Sequence, residues 1–284
     1  MIYLDNNATT PIAPEATDAM MPFITGTYGN PSSAHSAGRA AKAAVADARD
    51  TVAVLLGADS PGEIVFTSGG TESDNAAILG ALRASPDKRH IVTTRVEHEA
   101  VRKLAEQLET QGYSVSWIDV NEAGSLDVEA FGNALTPDTA VVSVMLANNE
   151  TGILFPVEQL AETVKERSNA LFHVDGVNAA GKAAINLRNT KIDLFSISAH
   201  KFHGPKGVGL LYVRKGTRIG PVQTGGSQER GDEQAAGHGP RGGRGRAGAN
   251  VPILRAPAAS GGNTCPEGMQ HRATSSPRST RSAR

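Results

Sequence analysis

Ser196-Ile197-Ser198-Ala199-His200-Lys201-Phe202-His203-Gly204-Pro205-Lys206-Gly207-Val208-Gly209 is the stretch whose reading decides the fold. The apolar run Asp193-Leu194-Phe195-Ser196-Ile197 predicts a buried strand, and the motif sits just past its carboxyl end. There a lysine is flanked by a hydroxyl, two imidazoles and a Gly/Pro-rich turn that lets the backbone approach a ligand closely. A lysine leaving a buried strand is partly desolvated, which disfavours its ammonium form and makes the amine a usable nucleophile. The arrangement suits a Schiff base between Lys201 and pyridoxal phosphate. Taken alone, it reads equally as a surface cation beside a turn.

Upstream of this motif, strands and helices alternate. Glu63–Thr67 predicts a strand that runs into Ser68-Gly69-Gly70-Thr71-Glu72-Ser73-Asp74-Asn75, with a helix following through Leu82. A strand, a small-residue turn and a helix start form an anion site, because free N–H groups and the helix dipole favour negative charge there. The spacing is neither a Walker A loop nor a dinucleotide fingerprint. The plain alternative is a capped helix with Thr71 or Ser73 near the cap. Next come strand His90–Thr94, helix Glu99–Gln111, strand Ser114–Ile118 and a helix near Asp127–Leu135. His98, in Val96-Glu97-His98-Glu99, reads as a cap or surface residue as readily as a catalyst.

Strand Ala140–Leu146 ends in the polar cluster Ala147-Asn148-Asn149-Glu150-Thr151-Gly152. Helix Val157–Glu166 leads into strand Leu171–Asp175, which Asp175 closes before Gly176-Val177-Asn178-Ala179-Ala180-Gly181-Lys182. That acid could be only a helix cap or a metal ligand. Gly207–Val213 predicts a last strand. This rhythm argues for α/β architecture, a mainly parallel seven-stranded sheet covered by helices on both faces. Asn149, Asp175 and Lys201 all fall just after carboxyl ends of strands, where open α/β sheets bind ligands. At the amino end, residues 3–11 form a hydrogen-bond-rich arm, followed by helix Pro14–Ile24. A turn at residues 29–33 precedes a long helix capped at Ser36 or nearby. Val45, Ala48, Val52, Leu55 and Leu56 make its core face, and Gly57 stops it.

Composition bounds the function. The chain has 284 residues, 39% hydrophobic and 20% charged, with a formal net charge of -1. Such a balance gives no electrostatic case for a nucleic-acid or membrane partner. No apolar run approaches the ~20 residues a bilayer span needs. The first residues lack a basic and apolar leader, so the expected compartment is the cytoplasm. The single cysteine, Cys265, excludes a disulfide framework and a Cys-rich zinc site, and no metal ligand set is assigned.

The averages conceal a break. Residues 1–230 hold 20 Lys+Arg against 26 Asp+Glu, whereas residues 231–284 hold eight Arg, no Lys, three acids and no aromatic. That segment cannot bury enough apolar area to offset its chain entropy, so disorder is expected there. The expected organisation is a large domain with an amino-terminal arm over residues 1–230 and an Arg/Gly/Pro/Ser/Ala tail over residues 231–284.

Together the segments YLDNNATTPIAP, YGNPSSAHSAGR, FTSGGTESDNAAI, VEHEAV, SVMLANNETGILFPVEQ, FHVDGVNAAGK, SISAHKFHGPKGVGLLYVR and GGSQERG resemble the cysteine desulfurases of the NifS/IscS type. Those enzymes have the class V aminotransferase fold, a pyridoxal-phosphate-dependent transferase fold like that of aspartate aminotransferase. The resemblance implies that Lys201 forms the Schiff base and moves protons on the substrate. It implies that Gly70, Thr71, Ser198 and His200 contact the phosphate, that Asp175 pairs with the pyridine nitrogen and that His98 stacks on the ring. Asn149 would lie beside the ring oxygen. Asn178 occupies a position where the family carries glutamine, one methylene longer. The implied reaction takes L-cysteine to alanine, with the sulfur received as a persulfide and passed to iron–sulfur scaffold proteins or other acceptors. A homodimer is implied as well.

The resemblance fades after Arg230. The family's persulfide cysteine lies in a Ser/Gly/Ala-rich loop followed by an arginine for the substrate carboxylate. Cys265 has no such surroundings and reads as an incidental thiol. The small domain is expected to be largely missing, through truncation or a reading-frame change, and the activity correspondingly impaired. Two alternatives stay open: other pyridoxal phosphate chemistry on the same fold (selenocysteine lyase, aminotransferase or lyase), and a non-catalytic remnant.

Overall fold

A computed structural model describes residues 2–223. The tail at 231–284, Cys265 and the motif GGSQERG lie outside the described residues. Seven strands form one sheet: β1 (Ile64–Thr67), β2 (His90–Thr94), β3 (Ser114–Ile118), β4 (Thr139–Met145), β5 (Leu171–Asp175), β6 (Leu194–Ser198) and β7 (Gly209–Val213). Their order is β1-β7-β6-β5-β4-β2-β3. Strands β3, β2, β4, β5 and β6 pair in parallel, and β7 runs antiparallel to both β6 and β1. The mainly parallel seven-stranded sheet expected from the sequence is therefore observed.

Six helices complete the fold: α1 (Pro14–Thr25), α2 (Ser36–Leu56), α3 (Gly70–Ala84), α4 (Glu99–Thr110), α5 (Val128–Ala134) and α6 (Val157–Arg167). Because side chains alternate across a strand, neighbouring strand residues feed separate cores on the two faces. Ile91 and Val141 pack with Ile78 and Leu82 of α3 and with Val101, Leu104 and Leu108 of α4. Val92 and Val142 pack instead with Leu56 of α2, Phe131 of α5 and Leu160 of α6. Both faces being covered, β4 is buried at every residue and reads as a continuous apolar run rather than an alternation.

The local differences from expectation have local causes. The cap expected at Ser36 or nearby is the side chain of His35, which accepts from Gly38 N. Leu55 was expected in the core but is 62% exposed, while Ala48, Ala53 and Leu56 are buried. At 3.6 residues per turn Leu55 lies about 100° round from Leu56, off the stripe that α2 turns to the sheet. Gly57 ends the helix as expected, in the left-handed conformation at φ 65°. Helix α3 begins after Gly69, which has no side chain, so neither Thr71 nor Ser73 caps it. The last strand starts at Gly209 rather than Gly207, since Gly207 is a turn residue at φ 79°.

Candidate functional site

The carboxyl ends of β1, β2, β4, β5 and β6 converge on one edge of the sheet, and each supplies a loop. After β1 comes the Gly69-Gly70 turn. A Cβ on Gly70 would sit 2.8 Å from Val177 Cγ2 and 3.5 Å from Ser198 Cβ, so this turn lies against the loops after β5 and β6. A Cβ on Gly209 would meet the Gly69 backbone at 2.7 Å, which ties the start of β7 to the same turn. No side chain caps α3, so its first N–H groups point outward as an anion-binding edge. Thr71 is exposed there, and Ser198 is buried at the end of β6.

Asp175, the last residue of β5, is 5% exposed. Its Oδ1 accepts from Val177 N at 2.9 Å. Burial pushes its proton affinity up, while that backbone bond and the charges of His98 and Lys201 pull it back towards the anion. Asn178 follows in the same loop, 9% exposed, with its Oδ1 unpartnered. A buried amide oxygen without a donor is a vacancy for a ligand hydrogen-bond donor.

Lys201 ends the short 3-10 turn 199–201 after β6 and is half-buried. Burial, then the neighbouring Lys182 ammonium, lower its pKa below the usual lysine value. Asp175, Asp5 and Glu150 oppose that shift. Its Nζ donates to Asn7 O at 2.6 Å. Lys182 Nζ donates to Asn7 Oδ1 at 3.0 Å, and Asn7 Nδ2 to Asn149 O at 3.3 Å. The amino-terminal arm thus crosses the mouth of the site through one asparagine.

The arm is fastened to the lysine loop next door. Thr10 N and Oγ1 both donate to His200 O, at 2.8 and 2.9 Å. Thr10 Oγ1 accepts from His203 N at 2.7 Å, and Ala13 N donates to His203 O at 2.9 Å. His203 is held at φ 67°, a conformation that non-glycine residues seldom adopt. Lys206, the other lysine of the motif, is exposed.

The remaining expected site residues are placed less completely. His98 is exposed and caps α4 by accepting from Ala100 N at 3.1 Å through Nδ1, so the plain reading of it as a cap holds. Its charge nevertheless bears on Asp175. The Asn149 side chain donates to Glu150 Oε1 at 2.6 Å, and the structurally committed amide is Asn148, which accepts from Glu150 N and Thr151 N. His200 Nδ1 pairs with Thr9 Oγ1 at 3.1 Å, which turns the ring to the arm. Sequence reasoning missed Asn7 and Lys182 as partners of the lysine, and it missed the buried acids Asp74 and Glu97. The polar run Asn6-Asn7-Ala8-Thr9-Thr10 was the available signal for the first. Nothing in Val96-Glu97-His98-Glu99 distinguishes buried Glu97 from exposed Glu99.

An amine of lowered proton affinity, a buried carboxylate whose burial-raised proton affinity its neighbours oppose and a glycine-lined helix start share one strand-end edge. This combination defines a class before any particular relative. Residues 2–251 match the aminotransferase class-V family, and the chain belongs to it. A cysteine desulfurase of Trichormus azollae is 56% identical over 231 residues, covering 81% of this chain and 57% of that protein. The cysteine desulfurase NifS of Azotobacter vinelandii is 51% identical over 230 residues, covering 81% and 57%. Among solved structures, a NifS-like protein superposes with a TM-score of 0.78 at 43% identity, over 81% of this chain and 63% of that one. SspA in complex with cysteine gives 0.79 at 33% identity, over 89% and 70%. The chain spans little more than half the length of the curated relatives it matches. Among the described residues no helix is long and apolar enough to cross a membrane, and no cluster of potential metal ligands occurs.

Proposed function

We propose that this chain carries the cofactor-binding half of a cysteine desulfurase: it binds pyridoxal 5'-phosphate through Lys201 and acts on L-cysteine. The observation that carries this is Lys201 at the mouth of the strand-end site, its proton affinity lowered by burial and Lys182, with the Asp175 carboxylate close enough to act on it. The donor set suits the cofactor. Gly70 leaves the space a side chain would fill, the start of α3 and Ser198 suit a phosphate, and the unpartnered Asn178 Oδ1 awaits a donor. When bound, pyridoxal phosphate supplies an electron sink for the pair left by a broken Cα–H bond.

The chain's own groups do the rest. Asp175 holds a proton on the ring nitrogen, because an anion there stabilises the protonated ring. Lys201 moves protons at the substrate Cα, a role that suits an amine whose pKa has been brought nearer neutrality. Gly70, Thr71, Ser198 and His200 serve the phosphate, His98 offers its imidazole face, and Asn149 and Asn178 serve the ring oxygen. In the overall change, cysteine plus a thiol gives alanine plus a persulfide, so atoms and electrons balance; residues 2–223 hold no cysteine, so that thiol comes from outside them and this chain's own turnover is impaired to that extent. The sulfur then passes to iron–sulfur scaffolds or other acceptors, in a homodimer. The names of the relatives support this reading, as does the solved neighbour's complex with cysteine.

The test is borohydride reduction of the purified chain with pyridoxal phosphate, followed by peptide mass mapping. The tag is expected on Lys201. Lys201→Ala is expected to abolish the visible absorbance of the bound cofactor, and Lys206→Ala to keep it. A tag on Lys206, or colour surviving in Lys201→Ala, would overturn the assignment.

A further inference from the structure

Beneath Asp175 lie two more buried acids that the proposed chemistry does not use. Glu97, in the loop after β2, is 6% exposed, and Asp74, in the first turns of α3, is 1% exposed. Glu97 Oε1 accepts from Thr94 Oγ1 at 2.6 Å and from Met145 N at 3.1 Å, and its Oε2 has no partner. Asp74 is hydrogen-bonded by Ser196, and its Oδ1 is unpartnered. Both acids repel Asp175, and Glu97 also repels Asp74.

Among the described residues no cation offsets them. The nearest candidate is His173, whose Nε2 is 3.6 Å from Asp74 Oδ1. That ring is fully buried between two hydroxyls, with Nδ1 2.9 Å from Ser143 Oγ and Nε2 2.8 Å from Ser196 Oγ. Burial drives its pKa down to about 3, so the imidazole is neutral and the contact with Asp74 is not an ion pair. Burial raises Asp74 well above the usual carboxylate range and Glu97 to about 8. Of the three acids Asp175 alone faces the Lys201 ammonium, and the His98 ring acts on it in the same sense. Three mutually repelling carboxyls in a low-dielectric pocket cannot all ionise, and the one facing cations keeps the charge.

We propose that Asp74 and Glu97 are positioning residues that stay protonated beneath Asp175, reserving the negative charge at this end of the sheet for the carboxylate that faces the cofactor ring. The proposal rests on the cofactor reading above for its functional meaning, while the protonation it asserts belongs to the chain alone. Glu97 carries its proton on the unpartnered Oε2, which leaves Oε1 free to accept from Thr94 and Met145. An amide at either position should therefore reproduce the native charge.

Infrared difference spectroscopy of the full chain at neutral pH without cofactor reads this directly. The wild-type protein should show carbonyl bands of protonated carboxyl groups that shift in deuterium oxide. Glu97→Gln should delete one band and Asp74→Asn another. An ionised carboxylate at either position would give no such band to lose. The second readout adds pyridoxal phosphate and follows the pH midpoint of its lysine-bound absorbance. Glu97→Gln should shift that midpoint by less than about half a unit, because no charge is lost. Removing an ionised neighbour would lower it by about one to three units, as Asp175→Asn should.

Failure of Glu97→Gln to remove any protonated-carboxyl band, or a midpoint lowered by a unit or more, overturns the proposal. Glu97→Gln decides even where Asp74→Asn does not fold. Bands present in a wild-type chain that takes up no cofactor would remove the proposed function and leave the protonation standing. Bound cofactor without the bands would overturn this inference alone.

Discussion

Replacing Thr10 by valine tests how the amino-terminal arm holds the lysine loop. The side chain is 8% exposed and nearly isosteric with valine, so packing changes little. What is lost is the hydroxyl, which donates to His200 O at 2.9 Å and accepts from His203 N at 2.7 Å. His200 O keeps its bond from Thr10 N at 2.8 Å, so only the His203 N–H is stranded. One net hydrogen bond is worth about 1 kcal/mol, and a buried donor without a partner costs about 1–3 kcal/mol. This bond is only part-buried, so the penalty sits at the low end of that range; the local opening free energy of residues 199–204 should therefore fall by about 2 kcal/mol, and their amide exchange should quicken by about 30-fold. The strained φ of His203 adds to the tendency to open. Hydrogen exchange followed by mass spectrometry measures this. Thr10→Ser keeps both hydrogen bonds and gives up one methyl, about 0.8 kcal/mol, so it should quicken exchange far less. If valine and serine loosen the loop equally, the hydroxyl is not what fastens the arm.

Two further outcomes follow from the same site. His173, with its pKa depressed to about 3, binds a proton more readily when unfolded, so stability should fall as pH drops below the ordinary 6.5 towards 3. Glu97, raised from 4.5 to about 8, binds its proton more tightly when folded, so stability should fall as pH rises through that window. Each slope is about 1.4 kcal/mol per pH unit, and the two offset one another between 4.5 and 6.5. Thermal melts across pH should show a plateau with an acid and an alkaline limb, and Glu97→Gln should flatten the alkaline limb and extend the acid limb up to 6.5, where nothing then offsets His173; an unchanged alkaline limb would contradict the assignment. Gly70→Ala would put a methyl 2.8 Å from Val177 Cγ2 and should weaken pyridoxal phosphate binding about tenfold or more, by titration calorimetry. Unchanged affinity would show that the turn is not the phosphate cradle.

The alternation of apolar runs and amphipathic segments was legible because a doubly covered parallel strand must be apolar throughout and a covering helix must carry one apolar stripe. Hence β2, β3 and β5 fall at the expected residues, and Val101, Leu104, Ala105 and Leu108 of α4 are all buried. Lys201 and Asp175 drew notice for a related reason: each is a polar residue at or just past the end of an apolar strand, and the structure places both at the strand-end edge. Leu55 was misread because hydrophobicity alone does not fix the azimuth of a helix against its sheet.

The chain's order of residues by itself determined the strands, their parallel bias and the strand-end residues of the site. Only the tertiary structure decided that Asn7 and Lys182 meet Lys201, that Thr10 holds His200 and His203, and that Glu97 is buried while Glu99, two residues on, is exposed. Periodicity is a local property written along the chain. Proton affinity, charge pairing and the closing of an arm over a loop depend on groups far apart in the chain, 194 residues in the case of Asn7 and Lys201. Their distances exist only once the sheet has brought its strand ends together.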